Sequence, residues 1–157
     1  MYRLARETAE DWWEVEALFD LCFAPGREAL SSYRLRDGID PIAALCLVAR
    51  DPEEAVAAAI RFWPVRVGGD PALLLGPVAV HPIHQGEGLG ALVIANALIR
   101  AEAADWRRVL LVGDEPYYGR FGFKRLSGVE MPPPTNPDRI LGHGDWAGVG
   151  GQVTRWA

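Results

Sequence analysis

Cysteine is scarce: of 157 residues only Cys22 and Cys46 are cysteine, and there are three histidines. No Cys-x-x-Cys pair occurs, so neither a disulfide framework nor a metal site is suggested, and both thiols read as buried packing groups. Long apolar runs are also missing. The longest, 71–80 and 89–99, fall well short of the roughly 18–20 residues needed to cross a bilayer, which excludes a membrane as partner. Glu7, Glu10, Asp11, Glu14 and Glu16 stand where an export signal needs a basic start and an apolar stretch, so the expected location is cytoplasmic. Basic charge is in deficit as well: 16 Lys and Arg against 21 Asp and Glu give a net charge of -5, which argues against nucleic acid as the main partner.

Half of the residues are hydrophobic, enough for one soluble domain spanning 1–157 with a single core. The 17 glycines and 12 prolines imply many tight turns. A strand-like start at 2–6 precedes Thr8 and Asp11, spaced as a near capping box. Trp12, Val15, Leu18, Phe19 and Cys22 then recur at helical spacing, predicting a helix over 9–23 that Pro25 and Gly26 stop. Residues 27–36 read as a weak helix or a loop. Segments 43–49 and 55–67 read as strands joined by the turn at 51–54, and 73–80 as a third strand. A helix follows over 89–104, apolar on most of its surface, then a buried strand at 108–112. Further strands are expected from Phe123 and at 152–156, with Met131 and three prolines forming a stiff linker between them. This order predicts a mixed sheet flanked by helices, an α/β (α+β) fold without the repeated alternation of a doubly wound one. Arg61, Arg66, Arg107 and Arg108 read as solvated charges near strand ends.

The informative stretch is 73–100. A buried strand ends at Val80, and Gln85, Gly86, Glu87, Gly88, Leu89 and Gly90 lead straight into the apolar helix. Glycines there let a ligand approach the backbone and leave N–H groups pointing outward at a helix start, where an anion gains about 0.3–1 kcal/mol from the helix dipole. Residues 86–91 formally match the dinucleotide pattern G-x-G-x-x-A, with Asp105 as the ribose acid, but the repeated βαβ context is absent. No Gly-Lys-Ser/Thr occurs, so a Walker loop is excluded.

The other reading of these glycines is Q-x-x-G-x-G on Gln85, Gly88 and Gly90, preceded by Val78, Ala79, Val80, His81 and Pro82. Farther on, Tyr117, Tyr118, Gly119, Arg120, Phe121, Gly122 and Phe123 form an aromatic pair before Gly-Phe. In these two landmarks the chain resembles the GNAT superfamily of N-acetyltransferases. The resemblance implies a splayed sheet of six or seven strands and acetyl-CoA as acyl donor, with no metal. It implies that the backbone of Val78, Ala79 and Val80 pairs with the pantetheine arm. The N–H groups from Gln85 to Gly90 would hold the pyrophosphate, with Ala91 in the helical turn beneath it.

Tyr118 occupies the place of the family's usual acid, which protonates the departing thiolate. His81, Asp114 and Glu115 lie at strand ends and are the candidates for accepting the amine's proton; the acid that many relatives carry in the fourth strand is absent from 78–80. The implied activity is acetyl transfer to a primary amine of a small molecule or peptide. The alternative is a domain that keeps the acyl-CoA pocket and senses the ligand without turnover. A homodimer is compatible with such a small enzyme.

Overall fold

In the computed structural model, which describes residues 1–23 and 31–156, strand β1 (Arg3–Arg6) leads through a 3-10 turn at Ala9–Asp11 into helix α1 (Trp12–Cys22). Asp11 closes the start of this segment, its carboxylate accepting from the backbone N–H of Thr8 at 2.8 Å and from the Thr8 hydroxyl at 3.0 Å. These bonds satisfy donors that the first helical turn leaves open. The predicted stop at Pro25 and Gly26 and the first part of the 27–36 segment lie outside the described residues; Ser31–Arg36 is a 3-10 helix. Ala43–Leu45 is also a 3-10 turn, so the strand expected from residue 43 begins later, as β2 (Leu47–Arg50).

The centre of the molecule is the antiparallel pair β3 (Val56–Val67) and β4 (Asp70–Val80). Helix α2 (Leu89–Ala103), strand β5 (Arg108–Val112) and the short helix α3 (Glu115–Tyr118) follow. The chain ends through β6 (Lys124–Arg125), β7 (Val129–Glu130), β8 (Ile140–Gly144) and β9 (Gly151–Arg155). Among the described residues the sheet has nine strands where six or seven were expected: its main path runs β1-β2-β3-β4-β5-β8-β6, with β9 added beside β3 and β7 beside β9. Strand β8 falls in a stretch without a strand-like pattern, and its pairing with β5 was not foreseen.

Both faces of the sheet are covered, which is why β3 is buried almost throughout and reads as a continuous apolar run. Helix α1 sets Val15, Leu18 and Phe19 against Val48, Ala59 and Ala79 on one face. Helix α2 sets Leu89, Val93, Ala97 and Ala101 against Leu47, Ala49, Ala58 and Ile60 on the other. Each fully buried Leu, Ile or Phe contributes about 1.5–3 kcal/mol relative to exposure.

Strands β4 and β5 are parallel and share only two register pairs, Leu73 with Val109 and Leu74 with Leu110. Gly76 then takes a φ of 140°, and Pro77 has no N–H to offer a neighbour. Residues 78–80 stay paired with β3, opposite Ile60, Ala59 and Ala58, while among the described residues no strand pairs with their side facing β5. The sheet therefore splits open between β4 and β5.

Candidate active site

The split holds a cavity of about 580 Å³, walled by residues 74–78 of β4 and by 111–114 at the end of β5, with Tyr33, Arg36, Tyr117, Tyr118 and Arg139 around it. A second hollow of about 410 Å³ lies at the start of α2, lined by Val80, His84, Gln85, Gly86, Gly88, Leu89, Gly90 and Ala91, with Tyr117 and Arg120. Tyr117 borders both. Strand end, glycine loop and aromatic pair, which the sequence separates, are thus brought together.

The loop is built on glycine for a geometric reason. Gly86 and Gly88 have φ of 85° and 78°, in the left-handed region where a side chain is strained, and a Cβ on either would meet nothing within 4 Å. Both residues line the hollow, and Gly88 is the residue from which α2 springs. The N–H groups of the first turn of α2 have no partner within the helix and carry the positive end of its dipole. Gln85 ties the loop back to the strand, its side-chain amide donating to the Val80 carbonyl at 3.1 Å. Gly90 leaves space for the phenol of Tyr117, since a Cβ there would stand 3.2 Å from its hydroxyl oxygen.

The two tyrosines pack edge to face, with ring centroids 4.9 Å apart. Tyr118 lies against Gly113, and burial pushes its phenol up to about 12, with Tyr117 adding to the shift and the charge of Arg139 opposing it. Arg139 is held beside this ring because its carbonyl accepts from the N–H of Gly113 at 2.9 Å. Asp114 is the only carboxylate among the described residues that line the larger cavity. His81 lines neither space: its Nδ1 accepts from the N–H of Ile83 at 3.2 Å and caps the turn that follows β4. Glu115 is exposed at the start of α3, where its carboxylate accepts from the N–H of Arg125 at 3.4 Å.

Two arginines expected in solvent are buried. Arg61, at the irregular step between Ile60 and Phe62 in β3, is 1% exposed. Its guanidinium donates to both carboxylate oxygens of Glu7 at 3.0 and 2.8 Å and to Glu16 at 2.5 Å, and lies 3.7 Å from the ring centroid of Trp12. Arg108 donates to the carbonyls of Asp145 and Pro71 at 2.8 and 2.6 Å and fastens β5 to neighbouring chain ends. Sequence reasoning missed both because their partners are remote in the chain; the one local signal was a cation inside a continuous apolar run. Among the described residues no group of three or more His, Cys, Asp or Glu side chains could hold a metal ion. Likewise, no helix is long and apolar enough to cross a membrane.

A family model described as an acetyltransferase (GNAT) domain matches residues 43–125, which contain β2 to β6 and the whole glycine loop. The uncharacterized N-acetyltransferase YhbS of Escherichia coli (strain K12) is 32% identical over 112 residues, covering 70% of this chain and 66% of that protein, so the match spans just under two thirds of the relative's length. The crystal structure of Escherichia coli YhbS in complex with CoA superposes with a TM-score of 0.83 at 28% identity, over 98% of this chain and 89% of the other. A GNAT family acetyltransferase from Brucella melitensis, solved with acetyl-CoA, gives a TM-score of 0.68 at 29% identity, over 100% and 97%. The splayed sheet, the glycine loop at the head of α2 and these similarities lead to one conclusion: the chain belongs to the GNAT acetyltransferase family.

Proposed function

We propose that this protein is an acetyl-CoA-dependent N-acetyltransferase that moves the acetyl group to a primary amine by direct attack. The observation that carries this reading is that Tyr117 borders both hollows, which sets the glycine loop at the head of α2 beside the wider chamber in the split sheet. The solved relatives bound to CoA and acetyl-CoA support it.

Bound in this way, the donor lays its diphosphate on the N–H groups of residues 85–90 and its pantetheine arm along the open side of Val78, Ala79 and Val80. The loop fits such a group in that Gly86 and Gly88 line the hollow and take left-handed backbone angles that a side chain would strain. An N–H near Val80 polarises the thioester carbonyl. The amine nitrogen attacks the carbonyl carbon, the C–N bond forms, and the carbonyl electrons move onto oxygen. As they return, the C–S bond breaks and the sulfur leaves with the electron pair.

Two protons must move. Tyr118 keeps its proton at working pH because burial holds its phenol at about 12. It donates a hydrogen bond to the sulfur as charge develops there, and transfer is completed as the thiol departs. We assign the proton released by the amine to solvent bordered by Asp114, since His81 and Glu115 are turned to other partners.

A second reading, a sensor that binds acyl-CoA without turnover, is favoured by the absence of an acid from 78–80. Thermal shift with CoA, acetyl-CoA, longer acyl-CoAs and NADH, followed by thiol release over a panel of polyamines, amino acids, aminoglycosides and peptides, separates the two. Stabilisation by CoA and acetyl-CoA with thiol release on an amine is the expected result. Binding without release on every amine supports the sensor, and stabilisation by NADH alone overturns both.

A further inference from the structure

The phosphate loop contains a carboxylate, Glu87, at the place where a diphosphate would lie on the proposed reading. A carboxylate facing a diphosphate is adverse, because two like charges a few ångströms apart repel. Yet Glu87 is the one residue between 84 and 91 that does not line the hollow. Its side chain is drawn to Tyr2 at the other end of the sequence, whose hydroxyl donates to Glu87 Oε1 at 2.5 Å.

Tyr2 is itself held. Its oxygen lies 2.8 Å from Nδ1 of His84, and the ring's Nε2 lies 3.3 Å from Oδ2 of Asp51. The tyrosine has one hydroxyl proton and gives it to Glu87, so at the bond with His84 the ring donates and the phenol oxygen accepts. His84 thus ties Tyr2 to the Asp51 carboxylate, and it also lines the diphosphate hollow. Asp51 is fixed in turn by the N–H groups of Glu53 and Ala55, at 2.9 and 3.0 Å. The line Asp51–His84–Tyr2–Glu87 therefore runs from the β2–β3 turn through the N-terminus to the loop, joining positions that no local pattern connects.

We propose that Tyr2 and His84 are positioning residues for the diphosphate loop: they hold the Glu87 carboxylate out of the coenzyme's path. This rests on the reading of the loop as a CoA cradle. None of the four side chains touches reacting atoms, so their effect falls on CoA affinity and on KM for the donor, not on kcat.

The test is a double-substitution cycle read by calorimetry with CoA on the full chain. Tyr2→Phe keeps the ring and removes the hydroxyl, releasing Glu87; CoA affinity is expected to fall about tenfold, with the penalty shrinking as salt screens the repulsion. Glu87→Gln removes the charge and is expected to tighten CoA binding. In the double variant Tyr2→Phe/Glu87→Gln, affinity is expected to return to within about threefold of the native chain, a rescue that a general loss of packing would not give. Equal CoA affinity for Tyr2→Phe and the native chain overturns the proposal, as does a double variant no better than Tyr2→Phe. Failure of the native chain to bind CoA is a different result, and it removes the cradle itself.

Discussion

Gly113 sets where the Tyr118 ring lies, and replacing it with alanine tests the proposed role of that phenol as acid. A Cβ at 113 would stand 2.6 Å from Cε2 of Tyr118 and 2.8 Å from Cδ1 of Leu111. Carbon atoms in ordinary contact are about 3.5–4.0 Å apart, so the Tyr118 ring must withdraw by roughly 1 Å. The backbone at 113 carries no left-handed strain, so the substitution acts through its contacts with Tyr118 and Leu111. Misplacement of a reacting group by about 1 Å costs on the order of 10²-fold in rate, and overfilling a packed site costs about 1–3 kcal/mol of stability. Gly113→Ala should therefore lower kcat about 10²-fold, measured by thiol release, and leave the affinity for CoA unchanged, because the glycine loop is carried by β4 and α2. The melting temperature should fall by roughly 2–4 °C for each kcal/mol lost. Gly119→Ala is the control: its φ and ψ of -58° and -29° suit alanine, and a Cβ there meets nothing within 4 Å. A folded Gly113→Ala protein with native kcat would refute the placement of Tyr118 as acid.

Four other outcomes are expected. Gly88→Asp forces a side chain into a left-handed position and sets a carboxylate against the diphosphate, so CoA binding should be lost in calorimetry; native affinity would remove the helix start from the site. Tyr118→Phe should lower kcat by about 10²-fold with CoA affinity kept, and unchanged turnover would dismiss the phenol. The same variant bears on alkaline stability: a folded-state value of about 12 against 10.0 unfolded means that the native chain retains the proton longer. Its contribution is full below pH 10 and is lost as pH rises toward 12, a decline that urea titrations should find reduced in Tyr118→Phe. Arg61→Ala leaves Glu7 buried without its partner, and urea unfolding should show a loss of about 3–5 kcal/mol, part of it recovered by Glu7→Gln; a loss below 1 kcal/mol would mean that solvent reaches the pair.

What the sequence made legible follows the range over which each signal acts. Helix α2, strands β3 to β5 and the glycine loop are written in neighbouring residues, as apolar runs, a helical period and glycines ahead of a helix start. Strand β8 was unreadable because Gly142 and Gly144 resemble loop residues. They are glycine because Leu126 and Trp146 crowd the first, and because the Arg107 carbonyl crowds the second. The same limit hid the polar contacts. Arg61 finds Glu7 and Glu16, and Glu87 finds Tyr2, only after the sheet has brought remote segments together. A charge inside an apolar strand and an acid inside an anion loop each broke a local rule. In both places the fold supplies a hydrogen-bonding partner from a distant segment, so such local conflicts point to where long-range pairing must be sought.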